Sequence, residues 1–257
     1  MTNTHLKKHS LTLKKYINDF NAKDCISTPF KKGHIPWNKD KIGLQKAWNK
    51  NICRVNHNFF SKNSIDMFYI LGLFFADGYI SMNRKSKMIG LSLHKKDVKL
   101  VKKIRKILQL DKKLYIDRNQ IGFQIFSEEM YNTLTKWGCI RNKSLTMLFP
   151  SIPSKYLFHF IRGYLDGDGS VFINNRNQLY SNFTSGSLIF LQKLNKIIKD
   201  NLNIEGKIYY KKGNCYFLVF STSKTKVLLK SIYKDKSLFM KRKYIIYKNY
   251  MEKVNVL

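Results

Sequence analysis

Acidic side chains are scarce in this sequence. Its 257 residues hold 16 Asp and Glu against 48 Lys and Arg, a formal charge of +32 with a pI of about 10.0. A compact chain with that imbalance repels itself unless a polyanion takes up the charge, so nucleic acid is the first partner to consider and an anionic membrane surface the second. Long apolar runs are missing: Met67 to Ala76 is about half of the roughly 20 residues a membrane span requires. The lysine-rich N-terminus lacks the apolar core of a signal peptide. The four cysteines (Cys25, Cys53, Cys139, Cys215) lie far apart, with no C-x-x-C pair and no histidine set to complete a tetrahedral site, which argues against a disulfide framework or a structural zinc. Proline is scarce, while Lys, Asn, Ile, Tyr and Phe abound. The expectation is a soluble intracellular protein from an AT-rich coding genome, such as that of an organelle, a phage or a bacterium.

What the chain does contain is enough apolar residue, 44%, for one large domain or two of about 100 residues each plus extensions. Residues 1–60 differ from the rest. They carry lysine pairs (Lys7 and Lys8, Lys14 and Lys15, Lys31 and Lys32) and a short echo, IPWNKDK at Ile35 to Lys41 and KAWNKNI at Lys46 to Ile52. Aromatics interleaved with lysines suit stacking and phosphate contact, making Trp37, Lys39, Trp48 and Lys50 candidate nucleic-acid contacts. PWNK also resembles a small DNA-binding module. The glycine usual after NK is replaced by Asp40 and Asn51, so the likeness is partial.

From Ser64 onward the sequence repeats its own plan. ILGLFFADG (Ile70 to Gly78) leads to strand-like IGLSLH and the helical DVKLVKKIRKIL, then to strand-like KLYID and GFQIF. Ser127 is placed to cap a helix that Gly138 would close. IRGYLDGDG (Ile161 to Gly169) leads in the same order to SVFI, LYSNFT, the helical SLIFLQKLNKII, strand-like KIYY and CYFLVF, and the helical SKTKVLLKSIY. Asp97 follows Asp77 by twenty positions, and Ser187 follows Asp168 by nineteen. The pattern predicts an α+β fold of two αββαββα halves, 61–150 and 151–257, behind a basic extension, 1–60. Polar and apolar residues alternate along KLYIDRNQIGFQIF, so one sheet face is polar and basic. Lys113, Arg118, Gln120, Lys207 and Lys211 are candidate contacts to duplex DNA on those faces.

The two DG segments read as helices with small residues four apart, Gly72 with Ala76 and Gly163 with Gly167. Each stripe would admit another backbone closely, so the two helices can pair. Each helix ends on an acid, Asp77 or Asp168, before a glycine suited to a left-handed cap. A lone Asp-Gly usually marks only a turn. Here the acids repeat in register, each against the negative end of its helix and, if the helices pair, against its twin. A divalent cation held by the two carboxylates and nearby carbonyls would offset both costs, and hard oxygen donors favour Mg²⁺.

ILGLFFADG and IRGYLDGDG resemble the two motifs of a monomeric LAGLIDADG homing endonuclease. FADGYI, NKS at Asn142 to Ser144, FPSIPSKYLFHFIRGYLDGDGSVF and MKRKY at Met240 to Tyr244 extend the resemblance over most of residues 57–250. It implies a saddle-shaped fold with the motif helices at the pseudo-dyad, a monomer acting as a pseudo-dimer. It implies metal ligation by Asp77 and Asp168, with carbonyls from Ala76 and Gly167. It also implies a basic residue from each half near the cleaved phosphates: Lys143 and Lys241 match best by position, with Lys243 a close competitor to Lys241. His94 stands where a polar supporting residue is common, with Thr184 as its counterpart. One departure is Phe75, where the first motif would carry an earlier acid that the second keeps as Asp166.

The resulting expectation is a Mg²⁺-dependent endonuclease that cuts both strands of a long asymmetric DNA site, leaving short 3′ overhangs, and promotes the mobility of an intron or intein. The alternative is an RNA-binding maturase acting on intron RNA without nuclease activity, which would have no need of matched metal acids.

Overall fold

The computed structural model describes Lys39 and residues 54–83, 86–141, 145–213 and 215–254. Two compact units divide the chain, Met1–Asn51 and Ile52–Leu257. Lys39, exposed in a turn, is the sole described residue of the first unit. The expected extension to residue 60 therefore lies mostly outside the described residues. Its last part, from Arg54, belongs to the second unit: Asn56 N donates to Leu108 O, and Phe59 and Phe60 are buried in the core.

The first half begins with α1 (Ile65–Ala76), opened by Ser64, whose hydroxyl accepts from Met67 N at 3.1 Å. Its residues from Met67 to Phe75 are all buried, as expected of a helix that is apolar all round. Then come β1 (Gly78–Asn83), β2 (Ser86–His94), α2 (Val98–Ile107), β3 (Tyr115–Asp117), β4 (Gln120–Phe126) and α3 (Glu128–Trp137). Ser127 caps α3 by accepting from Met130 N, and Gly138 closes it at φ 100°, as the sequence signals require.

The second half repeats the order: α4 (Leu157–Asp168), β5 (Gly169–Ile173), β6 (Leu179–Ser185), α5 (Leu188–Leu202), β7 (Lys207–Lys211), β8 (Cys215–Phe220) and α6 (Thr222–Ile232). An additional helix, α7 (Lys241–Val254), follows. The two sheets are antiparallel with matching orders, β1-β2-β4-β3 and β5-β6-β8-β7.

Alternation sorts each sheet into two faces. Ile89, Leu91 and Leu93 of β2 join Ile121, Phe123 and Ile125 of β4 in the core. On the other face, Ser92 donates to Gln120 and Gln124 donates to the hydroxyl of Tyr79. Gly90 and Gly122 lie on this outward face; a Cβ at Gly90 would run into the Tyr79 ring, and one at Gly122 into the Leu91 carbonyl and the Tyr115 ring.

Candidate functional site

The helices α1 and α4 cross through their glycines. A Cβ on Gly72 would run into the Phe160 carbonyl and stand 2.8 Å from Tyr164 N, and one on Gly163 would run into the Tyr69 carbonyl. Both obstacles are backbone, so no rotamer change would relieve them. At Gly167 a Cβ would overlap that of Ala76 and stand 2.9 Å from Asp77 Oδ2. The carboxylate of Asp77 thus leans across the crossing to the residue before Asp168, the last of α4. Asp77 is exposed and Asp168 is half-buried. The fields of both acids reach one buried hydroxyl: burial, then Asp168 and to a smaller extent Asp77, push Tyr164 above the ordinary tyrosine range. That hydroxyl donates to Thr184 O at 2.8 Å.

The glycines after the acids do a different job from the one expected. Gly169 is extended, at φ −110° and ψ 174°, and neither it nor Gly78 is among the positive-φ glycines. Both open a strand directly, and glycine is needed there for close approach. A Cβ at Gly78 would meet Phe74 Cα at 2.5 Å, and one at Gly169 would meet the Leu165 carbonyl at 2.6 Å.

Of the candidate basic residues, Lys143 lies outside the described residues. Lys241 is exposed and lines a groove with Lys96, Lys99 and Lys103 on one side and Tyr244 and Lys248 on the other. Lys243 is the one that reaches the motif. Its buried ammonium donates to the carbonyls of Leu165 (2.7 Å), Asp166 (2.6 Å) and Gly169 (2.5 Å). Those carbonyls sit at the negative end of α4, where a cation is favoured. Burial lowers Lys243 to about 8, with Asp166 and, more weakly, Asp77 acting in the opposite direction.

The helix that delivers Lys243, α7, was not part of the expected plan. A signal for it was present in the three-residue spacing of Tyr244, Tyr247 and Tyr250, which are partly buried and packed on the core. Tyr244 and Tyr247 pack on Tyr233 with ring centroids 5.0 and 5.8 Å apart. Arg242 ties α7 to the first half through Asp97 at 3.1 Å.

Phe75 and Asp166 occupy equivalent positions in different ways. Phe75 packs edge-on against Phe160 at 5.2 Å. Asp166 is wholly buried, accepting from the Tyr69 hydroxyl and Met240 N, each at 2.7 Å. His94 serves as a cap: its Nδ1 accepts from Lys96 N at 3.1 Å and opens the turn before α2.

Trp37, Trp48 and Lys50 lie outside the described residues. Lys113, Arg118, Gln120, Lys207 and Lys211 are all exposed. Gln120 faces outward with Ser92. Lys207 and Lys211 pair with Val219 and Cys215, which puts both lysines on the outward face of the second sheet. Lys113 precedes β3, and Arg118 is in the turn between β3 and β4.

The donors at the crossing fit a hard divalent cation. Among the described residues no three His, Cys, Asp or Glu side chains come together. The protein would therefore offer the two carboxylates and main-chain oxygens, leaving positions for water and phosphate, the pattern Mg²⁺ prefers. The Gly167 carbonyl is not among the three that Lys243 engages.

Comparison with known proteins agrees with this architecture. Residues 155–252 match the family model described as a LAGLIDADG-like domain. The two halves together have the fold of the monomeric, two-domain LAGLIDADG meganucleases, and the resemblance read from the motifs is borne out. Meganuclease I-SmaMI bound to uncleaveable DNA has 12% identity and a TM-score of 0.54 over 76% of this chain and 92% of its own. The I-LtrWI homing endonuclease bound to target DNA has 14% identity and a TM-score of 0.54 over 78% and 92%. Meganuclease I-CpaMI bound to uncleaved DNA has 16% identity and a TM-score of 0.53 over 76% and 92%. No curated protein sequence matches the chain.

Proposed function

We propose that this protein is a sequence-specific endonuclease that hydrolyses both strands of duplex DNA at a long asymmetric site. In this reading it uses Mg²⁺ and promotes the mobility of an intron or intein that encodes it. The observation that carries the proposal is the glycine crossing of α1 and α4, which brings the Asp77 carboxylate beside Gly167, next to Asp168. Two carboxylates converging at like-charged helix ends, in a chain of charge +32, make sense where a cation and phosphates meet.

Asp77 and Asp168, with the Ala76 and Gly167 carbonyls, would hold the divalent ion. Such an ion, when bound, lowers the pKa of its water and offsets charge on the phosphate. The chain supplies the remainder. Lys243, when protonated, places a positive charge at the end of α4, where it offsets the helix dipole and the field of the acids. The outward sheet faces hold the duplex through Gln120, Lys207 and Lys211, one set of side chains per half-site. Because the halves have diverged, they would read different half-sites. The solved relatives named above are complexes with DNA, which favours DNA over RNA as the partner. The amino-acid composition supports an AT-rich organellar, phage or bacterial source.

The test uses DNA from the uninterrupted allele of the host gene as substrate, with Mg²⁺. Asp77→Asn or Asp168→Asn should abolish cleavage while duplex affinity in a gel-shift assay stays within about twofold, because neither acid is needed for backbone contacts. Wild-type cutting by either variant would overturn the proposal.

A further inference from the structure

The second motif helix carries two charges that the first does not. Arg162 and Asp166 stand where Leu71 and Phe75 stand in α1, ninety-one positions earlier, and both are fully buried. A buried guanidinium and a buried carboxylate demand hydrogen-bonding partners. They find them mostly in one place. Arg162 Nε donates to Leu238 O and its Nη1 to Ile232 O, both at 2.8 Å. Asp166 Oδ2 accepts from Met240 N and from Tyr69 of α1. The end of α6 is thus held at Ile232 and the connector to α7 at Leu238 and Met240, and three residues on Lys243 returns to α4. The chain closes a small circuit from α4 through the connector and α7 back to the end of α4.

Stability alone does not account for the pair. Asp166 Oδ1 and Arg162 Nη2 are buried with no protein partner, and apolar residues such as those of α1 often serve a core at least as well.

We propose that Arg162 and Asp166 are positioning residues: they clasp the connector and thereby seat Lys243 against the C-terminal end of α4, beside Asp168. The cleavage centre of the second half then depends on a clasp that the first motif, with Leu71 and Phe75, does not use. The functional part of this inference rests on the nuclease reading; the structural part does not.

Two readouts separate them. On the free protein, reductive methylation followed by mass spectrometry measures access to Lys243. Wild type should protect it, and Asp166→Leu or Arg162→Leu should raise its labelling by about tenfold or more, the order expected for losing hydrogen bonds to a charged group. Asp166→Asn keeps an acceptor for Met240 N and Tyr69, and should retain most of the protection. Tyr69→Phe removes one bond without adding volume, so it tests the clasp if the leucine variants fail to fold. Unchanged Lys243 labelling in the folded variants would overturn the proposal.

On supercoiled target DNA, the leucine variants should slow single-turnover cutting of one strand by about tenfold or more and accumulate nicked circles, with DNA affinity within about twofold. Both strands cut at wild-type rates, despite an exposed Lys243, would overturn the functional part. Failure of wild type to cut any site would sink the nuclease reading, and labelling would still decide the clasp.

Discussion

Single residues at the helix crossing leave little room for change. A methyl at Gly72 or Gly163 would meet backbone on the opposite helix, so Gly72→Ala and Gly163→Ala should each destabilise by about 2–3 kcal/mol through overpacking. Urea midpoints would show it, and unchanged midpoints would mean that the helices separate cheaply. Lys243 gives a pH signature. Burial holds it at about 8 in the folded protein, so above that pH the fold loses the proton while the unfolded chain keeps it until the ordinary lysine value. Where the unfolded state binds more protons, stability rises with pH. The stability of wild type relative to Lys243→Met should therefore rise through that window and be flat below it, as urea titrations at several pH values would test. Asp77 and Asp168 were legible in the sequence because the duplication shows them in register. Lys243 was not separable from Lys241, since residues two apart on a helix lie on different faces. Which face is buried depends on a connector whose partners, Arg162 and Asp166, lie some seventy residues earlier in the chain.

Elements were more legible than side chains. The strands and the helices α2, α3, α5 and α6 follow from alternation, periodicity and caps such as Ser127 and Ser187, which accept from Met130 N and Phe190 N. The helix α7 was missed because its lysines mask a modest apolar stripe of tyrosines. The Asp-Gly junctions were read as left-handed caps because glycine is common there; close approach to Phe74 and Leu165 is a tertiary demand that no local pattern reveals. The outward sheet faces carry a prediction of their own. Lys207 and Lys211 share one face of β7, so replacing both with alanine should weaken duplex binding and reduce the slope of log affinity against log salt by about 0.9 for each phosphate that is no longer neutralised. An unchanged slope would remove β7 from the interface.

For the molecule as a whole, the charge of +32 links folding to its partner. A ligand bound only by the folded state at 100 times its Kd adds about 2.7 kcal/mol, so target duplex should raise the melting temperature by several degrees at low salt, and the gain should shrink as salt screens it. Equal shifts at low and high salt would argue against an electrostatic origin. The buried pair on α4 also makes the two halves unequal partners. Tyr69, which donates to Asp166 and lies 5.3 Å beneath Arg162, corresponds to Phe160 in the repeat. Two copies of the second half brought together would set a phenylalanine where that hydroxyl is needed, and each Asp166 would lose a donor. Divergence has thus fitted the second half to the first: the partner that Asp166 needs on the facing helix is a residue only the first half supplies.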